Sequence, residues 1–76
     1  MSNNGKIDQL RIIVAEILGI DPDEVTEQSG VDHTEDWDSM RHLMIMMEVE
    51  QQFGHRFSPD DLSEVRTISA IASRLP

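Results

Sequence analysis

The stretch "EDWDSMRHLMIMMEVEQQFG", residues 35–54, decides how this chain folds. An acidic segment ends in one serine, Ser39, and an apolar run holding four methionines begins directly behind it. Asp38 has the short acceptor side chain that caps a helix N-terminus. Residues 39–53 contain neither Pro nor Gly, and Gly54 supplies the residue type that ends helices. The spacing therefore predicts a helix from Ser39 to Phe53. At about 100° per residue, Leu43, Met46, Val49 and Phe53 share one arc flanked by Ile45, and this is the expected core face. Met40, Met44 and Met47 fall with Gln51 on a neighbouring arc. One buried stripe is enough for a small bundle helix. The second arc either widens the core, lines an internal pocket or faces a partner, and flexible, polarizable Met suits a surface that accepts several shapes.

Outward from this helix, the same logic organises the rest. Ile7, Leu10, Ile13, Val14, Ile17 and Leu18 recur at helical steps after Gly5, and Gly19 marks the end of that first helix. "IDPDEV" is a short turn with Ile20 and Val25 as inward anchors. Residues 26–38 have no period and many acids, which predicts a long loop. Loops of that length in compact domains are often functional. Trp37 is expected to pin the loop by burying its ring. "FSPDDLSEV" opens a short helix with Ser58 as cap, Pro59 at the first helical position and Asp60 and Asp61 in the first turn. Thr67 caps a last segment in which Ile68, Ile71, Ala72 and Leu75 share one face. The expectation is an all-α bundle of three main helices plus one short helix, with a long loop between the first and second. It forms one domain over residues 1–76, residues 1–4 being a flexible tail.

At 76 residues the chain has room for one core. It has no Cys, so disulfides and thiolate metal sites are excluded. The longest apolar run, Leu43 to Met47, is far too short to cross a bilayer. "MSNNGK" lacks the apolar stretch of a secretory signal, and a cytoplasmic location is expected. Six Lys+Arg against fifteen Asp+Glu give a net charge of −9. That field repels nucleic acid and anionic lipid and steers the chain toward basic protein surfaces, though acidity also serves solubility.

With Asp38 as the better placed cap, the Ser39 hydroxyl is left free in the first turn. No Gly-x-Ser-x-Gly elbow is present, and His42, within helical reach, has no evident orienting acid. A hydroxyl without an activating base is a group that another enzyme modifies, so no catalytic residue is expected. His33, His42 and His55 are scattered and are expected to be solvated, with no metal site. Asp32, Asp36 and Asp38 lack the spacing of a calcium loop and form an acidic rim. Arg56 and Arg66 are expected to pair locally with acids.

From "DSM" through "RHLMIMMEVEQQFG" the sequence resembles the acyl carrier protein family, whose signature is Asp-Ser-Leu opening a helix that ends in an acidic cluster and a Phe. The resemblance covers essentially the whole chain, since the helices, the "DEV" turn, the loop and the "SPDDL" helix arrive in order. It implies that Ser39, beside the motif residue Asp38, carries a covalent 4′-phosphopantetheine arm delivered from coenzyme A by a phosphopantetheinyl transferase. The arm's thiol would hold acyl or aminoacyl groups as thioesters for acyl-loading and acyl-using enzymes with basic docking surfaces. The helix after the serine would be the recognition surface, giving Met40, Arg41, Met44, Met47, Glu48 and Glu50 partner-binding roles in a monomeric carrier. Met40 replaces the family's usual Leu, and Arg41 and Met44 stand where fatty-acid carriers often have acids. With "EDWDSM", the chain looks more like dedicated carriers of secondary-metabolite or surface-polysaccharide pathways. The alternative is an unmodified acidic interaction module that grips a partner helix through Met40, Met44 and Met47.

Overall fold

The computed structural model describes residues 3–75. Four helices run in order: α1 (Asn3–Leu18), α2 (Ser39–Phe53), α3 (Pro59–Glu64) and α4 (Ile68–Arg74), with a single 3-10 turn at Pro22–Glu24. The all-α architecture agrees with the sequence pattern. α1 packs against both α2 and α4. It starts at Asn3, so two residues assigned to the tail, Asn3 and Asn4, are helical, and Met1 and Ser2 lie outside the described residues. Once a helix is nucleated, each further turn residue adds one hydrogen bond, and Gly5 opposes this by only about 1 kcal/mol.

Local chemistry explains the remaining boundaries. The Asp38 side chain accepts from the Arg41 amide and starts α2, while Gly54, at φ 62°, closes it. Ser58 and Asp61 form a reciprocal capping box around Pro59, and the Thr67 side chain accepts from the Ala70 amide to start α4. The core is mainly aliphatic: Leu10, Ile13, Val14, Ile45, Met46, Val49, Ile68 and Ile71 are buried together with the rings of Trp37 and Phe57.

One face assignment changes. Leu43 is 50% exposed, and the buried stripe of α2 is His42, Ile45, Met46 and Val49, rotated from the arc expected to face inward. Spacing of three, four and seven from His42 makes an unbroken helical stripe. The polarity of His42 concealed it, because its ring is satisfied inside the fold.

The loop over residues 26–38 is fastened to the connector between α3 and α4 and to the first turn of α4. The Val31 amide donates to the Arg66 carbonyl at 3.0 Å, and the Ile68 and Ser69 amides donate to the Ser29 and Glu27 carbonyls, each at 3.0 Å. Gly30 pairs with Thr67 in an isolated antiparallel bridge. A Cβ at Gly30 would lie 2.1 Å from the Arg66 carbonyl oxygen, so the two backbones meet only because residue 30 has no side chain. Asp32 accepts two bonds from the Arg66 guanidinium, both 3.0 Å, across the same seam.

Candidate functional site

Ser39 occupies the first helical position of α2, one residue past its cap. Capping is done by Asp38, whose Oδ1 accepts from the Arg41 amide at 2.9 Å. Ser39 is exposed, and its hydroxyl has no hydrogen-bond partner among the described residues. The local sequence produces this directly: aspartate takes the work that serine performs at many helix starts, and serine is displaced into the first turn.

Among the described residues no side chain is hydrogen-bonded to the Ser39 hydroxyl as a base would be. His42 lies one turn on but is buried, only 7% exposed, which overturns its expected solvation. The Trp37 indole Nε1–H donates to His42 Nδ1 at 2.9 Å. An acceptor at Nδ1 places the ring proton on Nε2, which donates to the Val65 carbonyl at 2.8 Å. Both ring nitrogens are thus engaged away from Ser39. Burial pushes the imidazole below its ordinary pKa of 6.5; the Val65 carbonyl opposes this, and the positive charge of Arg66 reinforces it. A neutral, doubly bonded imidazole is a structural clamp, and Ser39 is left without a base.

The signal for this clamp was present in the chain. A buried indole N–H requires an acceptor, and His42 sits five residues after Trp37. Trp37 itself is 1% exposed and pins the loop as expected. Of the other histidines, His33 is exposed and the His55 ring meets Phe57 edge-on at 5.0 Å. Among the described residues no group of His, Asp and Glu is placed to hold a metal ion. The acidic rim is partly engaged: Asp32 pairs with Arg66, and Asp38 caps α2 with Arg41 Nη1 3.7 Å from its carboxylate. Arg66 therefore pairs with an acid as expected, but with a remote one, 34 positions away, and that pairing holds the loop.

Beyond Ser39 the outer face of α2 is apolar. Met40 is 73% exposed, Leu43 and Met44 each 50%, and Met47 59%, so the methionine arc faces outward and Leu43 joins it. Arg41 borders this face at its start, its Nη1 reaching the Asp36 carbonyl at 3.3 Å. Glu48 accepts from Gln52 at 2.8 Å, whereas Glu50, half-buried, accepts from the Phe57 amide at 2.8 Å and helps hold the turn after α2. A cleft of about 330 Å³ opens next to Ser39 between α2 and α3, with Leu43, Met46 and Leu62 as apolar wall and Ser63 and Arg66 at its polar side. A wider recess of about 450 Å³ beside Asp8, Arg11 and Glu27 shares no residue with it.

An addressable hydroxyl, an uncovered apolar face and a neighbouring cleft suit a group attached by other machinery. Comparison with known proteins agrees. The family described as "Phosphopantetheine attachment site" matches residues 8–75. The acyl carrier protein of Rhodococcus erythropolis is 37% identical over 68 residues, covering 88% of this chain and 74% of that protein. The meromycolate extension acyl carrier protein of Mycolicibacterium aurum is 36% identical over 62 residues, covering 80% of this chain and 63% of that protein. Its counterpart from Mycolicibacterium smegmatis is 36% identical over 62 residues, with 80% and 62% covered, so the chain spans less than two thirds of these two relatives.

Proposed function

The chain belongs to the phosphopantetheine-bearing acyl carrier protein family, and from that premise we propose that Ser39 is where the prosthetic group is attached. The family's members are carriers and not catalysts, and 4′-phosphopantetheine is the group they bear. When bound, it supplies a terminal thiol that holds acyl groups as thioesters, which a chain without Cys cannot do from its own side chains. The observation that carries the assignment is the exposed, unpartnered Ser39 hydroxyl standing at the edge of the uncovered apolar face of α2.

Each surrounding residue has a part in this reading. Asp38 holds the first turn of α2 in shape while leaving the hydroxyl clear. A phosphodiester on that turn meets the positive end of the helix dipole, worth about 0.3–1 kcal/mol at an exposed position, and the Asp38 carboxylate offsets part of it. Met40, Leu43, Met44 and Met47 supply apolar contact for the transferase and for acyl-loading and acyl-using enzymes. Arg41 and Glu48 set the charge around that contact, and the net −9 draws the carrier toward basic docking surfaces. Glu50 contributes its charge from a half-buried position. The cleft beside Ser39 offers a short acyl chain an apolar alternative to water. Arg41 and Met44, where fatty-acid carriers often have acids, support a dedicated carrier; no described helix is long and apolar enough to cross a membrane.

Incubation of the purified chain with coenzyme A and a broad-specificity phosphopantetheinyl transferase, followed by intact mass, tests the assignment. One phosphopantetheine adduct on the wild-type chain and none on Ser39→Ala is the expected result. An unmodified wild type, or an adduct that survives Ser39→Ala, defeats it. An unmodified interaction module, the reading that the family match displaces, would keep its full activity in Ser39→Ala.

A further inference from the structure

Trp37, the only tryptophan, lies directly before the cap that starts α2, and its indole is bonded to a histidine on the first turn of that helix. The same ring reaches the Val65 carbonyl in the connector before α4. Three chain segments thus converge on His42: the end of the long loop, α2 and the connector. We propose that His42 is a positioning residue for Ser39, holding the Trp37–Asp38–Ser39 corner in the shape the transferase recognises only while its Nδ1 is free to accept the Trp37 indole proton. This rests on Ser39 being the attachment point.

The geometry gives the corner two anchors. One is the Gly30 seam, from which the Thr34 amide donates to the Gly30 carbonyl at 2.9 Å and the Trp37 amide to the Thr34 carbonyl at 3.1 Å. The other is His42 itself. Among the described residues no buried side-chain nitrogen or oxygen lacks a partner, so the indole N–H and both ring nitrogens are satisfied in this arrangement. When a solvent proton binds Nδ1, both ring nitrogens become donors and the Trp37 N–H faces another N–H inside the fold. Trp37 then loses its partner, and the residue joined to it is the cap of α2.

Among the described residues no carboxylate acts on the ring to favour its charged form. From the connector comes Arg66, whose charge disfavours protonation and whose guanidinium is paired with Asp32 of the loop. On α2 the neighbouring Arg41 points at Asp38 and the Asp36 carbonyl. From α3, Asp61 and Glu64 are both met by Arg74. The folded-state pKa is lowered, so the unfolded chain takes the proton first. The intact clamp is favoured above about pH 6.5, the ordinary histidine value, and weakens as pH falls below it through the lower folded value.

The test compares wild type with His42→Gln, whose amide supplies one acceptor and one donor at similar separation and does not titrate. Both full-length proteins compete for one transferase in the same tube from about pH 8 to pH 5, so that the enzyme's own pH response cancels. The ratio of wild-type to variant modification rate is expected to fall several-fold toward acid, over the interval in which the Trp37 indole N–H resonance shifts. A ratio that stays flat overturns the proposal. If His42→Gln does not fold, nuclear magnetic resonance of the wild type decides: the Trp37 indole, the Ser39 amide and the His42 ring should titrate together, and independent titration overturns it. If no adduct forms on either protein at any pH, the attachment site is wrong, while the resonance titration still judges the clamp.

Discussion

The two faces of α2 are both apolar and lie a few ångströms apart on one helix, yet their fates differ. His42, Ile45, Met46 and Val49 are covered by the rest of the chain, while Met40, Leu43, Met44 and Met47 are left half or more exposed. Fully burying a Leu or Met side chain is worth about 1.5–3 kcal/mol, so the outer face forgoes a stabilisation that the inner face obtains. The difference teaches that composition does not decide which side of a helix is core. The shapes available to cover it do: α1 packs against α2, while the side holding Met40, Leu43, Met44 and Met47 stays half or more exposed, bordered by α3 only across the cleft at Leu43. On the reading proposed for Ser39, four large apolar side chains left together at its edge suit a face covered in turn by visiting enzymes.

The contrast is sharpest under truncation of the inner face. Ile45→Ala removes a side chain with no exposure and should cost about 2–5 kcal/mol, read as a lower urea midpoint at constant slope. In so small a chain that is a large share of the total. A loss under about 1 kcal/mol would mean that the inner face is not the stabilising one.

Substitution on the outer face should do the reverse. Met44→Glu places a carboxylate four residues before Glu48, and the like-charge pair costs the helix about 0.2–0.5 kcal/mol. Stability should barely move, whereas the rate of modification or acyl transfer by partner enzymes should fall roughly tenfold. A variant that unfolds, or one that partners handle normally, would erase the distinction between the faces.

Much of this was readable from local chemistry. Asp38, Gly54, Ser58 with Pro59, and Thr67 act within four residues of themselves, so the helix boundaries they set could be placed from the sequence. Ser39 was conspicuous for the same reason. Features that depend on remote partners were hidden. His42 reads as polar against its own stripe because one of the groups satisfying it, the Val65 carbonyl, is 23 positions away. Leu43 fits either face by spacing, and only the placement of α1 decides. The need for glycine at residue 30 arises from a backbone 36 positions away, at Arg66, and no turn signal announces it.

The placement of the methionines has a chemical consequence. Met40, Met44 and Met47 stand open to peroxide, while Met46, on the same helix, has no exposure. Mild oxidation should convert these three to sulfoxides before Met46, as peptide masses will show, turning a greasy surface polar while the fold stands. On the docking role proposed for this face, the oxidised chain would be handled more slowly by partner enzymes while it remains folded, and reduction of the sulfoxides would reverse the loss.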